Sequence, residues 1–158
     1  MSVLEINGLT VDYRTEEGTI RAVDGVSFEL NEGEILGIVG ESGCGKTTVA
    51  KSIQGLLPEN GSISEAAVKL QDETISTLNE KEYNEIRWKE IAYIAQSAMS
   101  SLDPVYRINA QFREIYKVHT DLSKAEMKER TKELLQNVGL DPARGQDYPH
   151  ELSGGQRQ

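Results

Sequence analysis

A glycine-rich octapeptide, Gly40–Thr47, constrains the fold of this chain more than any other stretch. It fits the pattern of a glycine, any four residues and then Gly-Lys-Thr or Gly-Lys-Ser, which cradles nucleotide phosphates. The apolar run Glu34–Val39 before it is typical of a buried parallel strand. Apolar residues after it, Val49, Ala50 and Ile53, predict a helix. A strand, a glycine loop and a helix are the context that phosphate binding requires.

The chemistry of this loop is predicted from its residue types. Its three glycines permit backbone angles closed to other residues, so consecutive N–H groups can turn toward an anion at the positive end of the helix. We expect Lys46 to reach the β- and γ-phosphates, Thr47 to bind Mg²⁺ and Thr48 to contact an inner phosphate. A plain strand-to-helix turn is the alternative. The predicted nucleotide-binding residues of the loop are Gly40, Glu41, Ser42, Gly43, Cys44, Gly45, Lys46, Thr47 and Thr48.

The composition indicates one soluble, globular domain. The 158 residues are 37% hydrophobic and 27% charged, and they contain no apolar run near the ~20 residues that cross a bilayer. We expect no export signal, and the single Cys excludes an internal disulfide. The net charge of −9 argues against a nucleic-acid or anionic-membrane surface, although it leaves room for a local basic site.

The residues before the loop predict an antiparallel β layer. Apolar residues alternate in Leu4–Ile6 and, in the opposite phase, in Leu9–Tyr13. The change of phase at Asn7–Gly8 predicts a bulge. A turn at Glu16–Gly18 leads into a second alternating strand over Val26–Leu30.

Two side chains outside the loop are candidate ligands. Tyr13 ends a strand, where an aromatic ring can stack on adenine, although packing is the more ordinary role of such a residue. Ile91–Ala95 predicts a second buried strand, which places Gln96 where ligands gather in open α/β sheets. Trp88, the only Trp, is expected to pack in the core.

The sequence beyond Pro104 predicts helices. One runs from 108 to about 119, and a capping box at Ser123–Glu126 opens a second, which Gly139 ends. Asp141–Pro142 predicts a short third helix. The Lys and Glu residues between 124 and 133 are expected to form a solvated face.

The last residues present a second candidate anion site. Leu152–Gln156 reads Leu-Ser-Gly-Gly-Gln, with Ser153 and Gln156 at the spacing of a capping box. This spacing predicts a helix N-terminus with two glycines in its first turn, which exposes N–H groups to an anion. An ordinary capped helix is the simpler interpretation of the spacing alone.

Together these motifs resemble the ATP-binding-cassette (ABC) ATPases over the entire chain. Gly40–Thr47 resembles the Walker A motif, Gln96 the Q-loop glutamine and Leu152–Gln156 the ABC signature. Ala95 and Ser97 depart from the commoner Phe-Gln-Asp text around the glutamine. Further stretches are similar to importers of oligopeptides and dipeptides: Ala22–Phe28, Gly33–Gly45, Met99–Pro104 and Tyr148–Ser153.

The resemblance implies a role for each motif. Tyr13 would stack on the adenine of ATP, and Gln96 would contact Mg²⁺ or the attacking water. Because ABC dimers are head-to-tail, the signature would face the ATP of a second cassette. The implied signature residues are Leu152, Ser153, Gly154, Gly155 and Gln156, and the implied Mg²⁺ ligands are Thr47 and Gln96.

The implied fold class is α/β, with a P-loop NTPase (RecA-like) core, an antiparallel β layer and a helical subdomain. Residues 1–96 would form the β layer and the core, 97–151 the helical subdomain, and 152–158 the signature. The family's Walker B strand, which ends in Asp-Glu, and its switch histidine follow the signature. No apolar run here ends in Asp-Glu. We therefore expect a partial nucleotide-binding domain, truncated before the Walker B strand, that holds ATP without hydrolysing it.

The resemblance predicts that the full-length protein couples ATP binding and hydrolysis to uptake of peptides or similar small solutes. Alternatives are a soluble ABC ATPase of another process, an importer of nickel or another small solute, and a module that only binds ATP. The implied partners are a second ABC ATPase subunit, identical or different, transmembrane permease subunits and, indirectly, a solute-binding protein, but no nucleic acid. The implied location is the cytoplasmic face of the cell membrane, as a peripheral protein.

Overall fold

A computed structural model describes residues 1–71, 73–95 and 101–158. The chain divides into two compact units, Met1–Ala92 (unit 1) and Tyr93–Gln158 (unit 2). The predicted Q-loop residue Gln96 lies outside the described residues, as does the start of the Met99–Pro104 stretch.

Unit 1 is built on an antiparallel sheet. Its strands lie in the order β2-β1-β3-β4, so β1 pairs with a neighbour on each side. The antiparallel layer predicted for the first 31 residues is confirmed. The elements of unit 1 are β1 (Ser2–Thr15), β2 (Gly18–Asn31), α1 (Lys46–Ile53), β3 (Gly61–Leu70), β4 (Glu73–Thr74) and α2 (Glu80–Ile86).

The predicted bulge in β1 is confirmed. The register with β2 shifts between Ile6 and Leu9, and Gly8 between them has a φ of +64°. Glycine adopts this left-handed conformation without the steric cost that a Cβ atom brings. The bulge turns Leu9 and Val11 to the same buried face as Ile6, although their spacing along the strand is odd.

The core of unit 1 lies between this sheet and α1. Val49 and Ile53 of α1 pack with the buried side chains of the sheet, so the apolar stripe of the helix is covered. The buried members of the cluster are Ile6, Leu9, Val11, Val23, Val49, Ile53, Val68 and Ile75. This packing holds the first turn of α1, and with it the glycine loop, against the sheet.

The two predicted buried strands do not form. Residues 34–40 have no β pairing, and Ile35 and Val39 are 97% and 92% exposed. In Ile91–Ala95 only the first residue makes an isolated bridge, and Ile94 is 89% exposed. A strand buried on both faces needs a neighbouring strand and a covering layer, and none of the described strands lies beside either segment. The apolar composition of each segment predicted a buried strand, but the neighbouring strands that burial requires are not among the described strands.

Unit 2 is helical, and its predicted helices are confirmed. Its elements are α3 (Ile108–His119), α4 (Lys124–Asn137), two short 3-10 helices (Pro142–Gln146 and Pro149–Glu151) and α5 (Gly154–Arg157). Ile108, Leu135 and Leu152 form its buried cluster. No helix in the described ranges of the chain has both the length and the apolarity to span a bilayer.

Trp88 does not pack in the core as expected. Its side chain is 62% exposed, and its φ of +68° lies in the left-handed region. The neighbouring Arg87 holds the turn by donating to the carbonyls of Gln54 (3.0 and 3.1 Å) and Gly55 (3.0 Å). It also pairs with Glu80 at 2.6 Å, which lowers the pKa of that carboxyl. The Arg87 contacts thus hold Trp88 in a backbone conformation that disfavours side chains with a Cβ atom.

Replacing Trp88 by glycine should release this strain. We expect Trp88→Gly to be more stable than Trp88→Ala by about 1 kcal/mol, because only glycine adopts the left-handed conformation without steric cost. Both variants remove the same exposed ring, so alanine serves as the matched control. Urea unfolding followed by circular dichroism measures the difference. Equal stability of the two variants would show that the backbone at Trp88 is not strained.

Candidate functional site

The glycine loop lies at the start of α1 and is open to solvent. Gly43 and Gly45 have φ values of +85° and +95°, which only glycine adopts freely. Gly45 is the N-cap of α1, so no side chain caps the first N–H groups of the helix. An open helix N-terminus beside a glycine turn is a favourable place for an anion.

The loop residues predicted to bind a nucleotide differ in exposure. Those exposed to solvent are Gly40, Glu41, Ser42, Gly43, Cys44 and Thr47, whereas Gly45, Lys46 and Thr48 are half-buried. The Thr47 hydroxyl therefore lies on an accessible first turn of α1. Thr48 also accepts, through its carbonyl, a hydrogen bond of 2.7 Å from the Ser52 hydroxyl.

The Lys46 side chain folds back over its own loop. Its Nζ donates to the carbonyl oxygens of Gly40 (2.8 Å) and Glu41 (2.6 Å), and it lies 3.4 Å from the Cys44 sulfur. The two neutral carbonyls accept two of the three N–H donors of the ammonium, and no carboxylate among the described residues pairs with its charge. The cation is thus placed within the loop and remains available to a phosphate.

Gly45 fits against β2 with no room for a side chain. A Cβ atom at this position would lie 2.7 Å from the Ala22 carbonyl oxygen and 3.3 Å from a Val23 methyl carbon. At Gly43, by contrast, a Cβ atom would meet nothing within 4 Å. Gly40 is restricted in the same way as Gly45, because a Cβ atom there would lie 2.7 Å from the Cys44 sulfur.

Tyr13 is held by the sheet. It pairs with Ile20 on β2 and with Gly61 on β3, and its half-buried ring packs on the unit 1 core. A Cβ atom at Gly61 would lie 2.8 Å from the ring, so the glycine makes space for it. These contacts are what the packing interpretation expects, and contact with an adenine stays a prediction.

The second motif caps α5 in unit 2. The Gln156 N–H donates to the Ser153 hydroxyl (3.4 Å), and the Ser153 N–H donates to the Gln156 side-chain oxygen (2.9 Å). This reciprocal pair is the predicted capping box. Leu152 is buried against Ile108, whereas Ser153 and Gly155 are exposed. The apolar residue thus anchors the motif and leaves its polar part facing solvent, with Gly154 half-buried between them.

The described residues offer no preformed metal centre. They contain no group of three or more His, Cys, Asp and Glu side chains arranged for a metal ion. Of the two predicted Mg²⁺ ligands, Thr47 is accessible, and Gln96 is outside the described residues. The N–H groups at the open start of α1 and the Lys46 ammonium are donors of the kind that bind phosphate.

A basic cavity in unit 2 was missed from the sequence. It is lined by four cationic side chains, Arg107, Arg113, Lys124 and Lys128. The two lysines belong to the segment expected to form a solvated face, and both are exposed. Lys124 and Lys128 are four residues apart on α4, a spacing that places two side chains on one helix face. That spacing was the available signal, but it does not reveal that α3 and its N-cap bring Arg113 and Arg107 to the same place.

Comparison with known proteins shows that the chain is similar to ATP-binding proteins of ABC transporters. A family model described as "ABC transporter" matches residues 23–158. The oligopeptide transport ATP-binding protein AppD of Bacillus subtilis is 40% identical over 160 residues, covering 99% of this chain and 49% of that protein. The dipeptide transport ATP-binding protein DppD of Lactococcus lactis is 42% identical over 159 residues, with coverages of 99% and 46%. The chain thus spans about half the length of the curated relatives it matches.

A solved structure shows the same fold. The ATP-binding cassette MJ0796, solved as a dimer bound to ADP and Pi, superposes with a TM-score of 0.84 at 27% identity. The match covers 98% of this chain and 65% of that one. The predicted α/β class is therefore confirmed.

The packing of the loop predicts unequal effects of two glycine substitutions. We expect Gly45→Ala to be less stable than Gly43→Ala by about 2 kcal/mol, because its methyl group would overlap the Ala22 carbonyl. Both positions have positive φ, so Gly43→Ala carries the backbone strain alone and is the control. Urea unfolding of the two variants measures the difference. Equal losses would show that β2 does not restrict the loop.

Proposed function

The chain belongs to the ABC transporter family, and from this premise we propose that it forms part of the ATP-binding subunit of an importer of peptides or similar small solutes. The observation that carries the proposal is the open N-terminus of α1 with Lys46 held in the glycine loop. The named relatives support the choice of solute, because their similarity extends over 99% of the chain.

The loop residues would hold the phosphates of ATP. The N–H groups from Gly40 to Thr48 would surround the phosphates, and Lys46 would bind the β- and γ-phosphates. Thr47 would hold Mg²⁺, together with Gln96, and Tyr13 would stack on the adenine. Bound ATP supplies the anhydride bond whose hydrolysis drives transport. The protein residues bind it, orient it and balance its charge.

Binding ATP would change the partners of Lys46. Its ammonium now donates to two uncharged carbonyls, at 2.8 and 2.6 Å. Hydrogen bonds to phosphate oxygens are charge-assisted and about twice as strong as bonds to neutral acceptors. The lysine therefore exchanges weaker internal contacts for stronger ones, and the two freed carbonyls turn to water.

The signature would act on a second molecule. Ser153 and Gly155 face solvent, so their polar groups are open to the ATP of another cassette. We propose a pair of cassettes, identical or different, that works with transmembrane permease subunits and a solute-binding protein at the cytoplasmic face of the cell membrane. The helical subdomain, residues 97–151, would receive the permease.

Within these 158 residues we assign binding and positioning, not proton abstraction. No apolar run among them ends in Asp-Glu, the pair that would hold the metal and supply the general base. Hydrolysis by the full-length protein is proposed to depend on such a pair outside them. The domain boundaries at 96 and 151 belong to the same proposal.

Removing the loop cation tests the nucleotide site. In the full-length protein, we expect Lys46→Ala to weaken ATP binding roughly 10- to 100-fold and to abolish ATP turnover, because the charge-assisted hydrogen bonds to phosphate are lost. Lys51→Ala removes the same charge from the last turn of the same helix and should leave both unchanged. Calorimetric titration and phosphate release are the measurements. Unchanged turnover in Lys46→Ala would refute the proposal.

A substitution in the signature tests the second role. We expect Ser153→Arg to leave ATP binding by one subunit intact but to prevent the ATP-dependent pairing of two cassettes, because the bulky cation would occupy the exposed N-cap. Ser123→Arg removes the equivalent cap of α4 and should allow pairing. Calorimetry measures binding, and sedimentation with and without ATP measures pairing. Loss of ATP binding by the single subunit would contradict the role between subunits.

A further inference from the structure

Unit 2 contains a cavity of about 370 Å³ that the proposed ATP site does not use. This volume lies within the roughly 300–1,000 Å³ typical of small-molecule sites. Its wall comes from the N-terminal parts of α3 and α4, from the N-cap of α3 and from the end of the first 3-10 helix, and we call it the α3–α4 cavity. The residues that line it are Arg107, Asn109, Ala110, Arg113, Lys124, Met127, Lys128, Thr131 and Gln146.

The cations of this cavity lack acidic partners. None of its described lining residues is an Asp or Glu. On α4, the neighbouring Arg130 and Lys132 are neutralised by Glu133 and Glu129, at 3.0 and 2.7 Å. Arg113, Lys124 and Lys128 take part in no ion pair within the described part of the chain, although all three are exposed. These like charges therefore share one concave surface without an acidic partner among its described lining residues.

The surrounding charge does not explain this cluster. From residue 101 to 158, basic and acidic residues are equal in number, so the net charge of −9 lies in residues 1–100. Cations without an ion-pair partner among the described residues nevertheless line one cavity in a segment whose basic and acidic residues are equal in number. A concave surface lined by one sign of charge concentrates counter-ions of the opposite sign.

One of the four cations is already oriented. Arg107 donates to the Gln146 carbonyl, and its guanidinium lies 4.6 Å from the centre of the Tyr148 ring. A cation fixed by its neighbours loses little conformational entropy when it binds a ligand. The floor of the cavity is a different kind of surface, because Met127 and Thr131 are buried and the Thr131 hydroxyl donates to the Met127 carbonyl at 2.8 Å.

We propose that the α3–α4 cavity binds a small ligand that carries phosphate groups. Guanidinium forks and lysine ammonium groups both bind phosphate oxygens, and a phosphate concentrates more negative charge in a small volume than a carboxylate does. The ligand is a free phosphorylated molecule or the headgroup of an anionic lipid. The site goes beyond the proposed ATP site and uses none of its residues.

Met127 provides a probe inside the cavity. The full-length protein is labelled with ¹³C-methyl methionine in the Lys46→Ala background, which weakens anion binding at the glycine loop. Met127→Leu identifies the Met127 resonance. Addition of inorganic pyrophosphate should shift this resonance saturably, and higher ionic strength should weaken the binding.

Two charge variants distinguish the cavity from general electrostatics. Arg113→Gln/Lys128→Gln should weaken pyrophosphate binding at least about tenfold, because it removes charged hydrogen-bond donors. Lys117→Gln/Lys132→Gln removes the same charge from the same two helices outside the cavity and should bind as before. Lys124→Gln alone should weaken binding as well, and circular dichroism melting verifies that each variant is folded.

Vesicles separate the two sources of phosphate. Sedimentation with phosphatidylglycerol vesicles that depends on Arg113 and Lys128, and is absent with phosphatidylcholine, assigns a lipid headgroup. Binding of pyrophosphate without vesicle binding assigns a free molecule. The proposal is overturned if neither probe acts at the cavity, or if both charge variants respond alike. It is equally overturned if the cavity variant loses only assembly with the permease, which would indicate an acidic protein segment.

Discussion

The burial of one face of β1 against α1 is the contact on which the loop depends. Ile6, Leu9 and Val11 of the strand are buried with Val49 and Ile53 of the helix. Burying a side chain of this size contributes roughly 1.5–3 kcal/mol, so the interface outweighs any single hydrogen bond of the loop. The helix cannot move without exposing that face. Its first turn, where Lys46 lies, is therefore positioned by hydrophobic packing and not by the loop itself.

The two motifs are supported in the same way, although they belong to separate units. In unit 2, Leu152 is buried with Ile108 and Leu135, and the capping box follows it directly. In each case an apolar anchor is adjacent to exposed backbone N–H groups. In each motif, buried apolar side chains thus fix the position of the neighbouring polar segment.

Local features of the fold could be predicted from the sequence, because their causes are local. Three kinds of feature depend on residues only a few positions apart: the β1 bulge, the capping boxes at Ser123 and Ser153, and the start of α1. Burial of Glu34–Val39 depends on neighbouring strands, and no pattern within the segment records whether these are present. The exposure of Trp88 was missed for a similar reason, because contacts of Arg87 with Gln54 and Gly55 hold that turn.

The same limit applies to the sites. The glycine loop is one continuous stretch, so its residues were found together in the sequence. The α3–α4 cavity combines Arg113 with Lys124 and Lys128 from two helices, and only their packing brings the charges together. Sequence reasoning misses a site of this kind, because each residue taken alone is an ordinary surface residue.

The carbonyl groups of the loop compete weakly with any incoming anion for the Lys46 ammonium. An anion that takes the two N–H groups bound to Gly40 and Glu41 must displace those carbonyls, so part of its binding free energy is a difference between two sets of contacts. A small, singly charged ion gains little over those carbonyls, whereas a chain of phosphates reaches the lysine and the helix end at once. The loop would therefore discriminate among anions by their charge and length. An ion as small as chloride would therefore compete weakly for the loop with a larger polyanion.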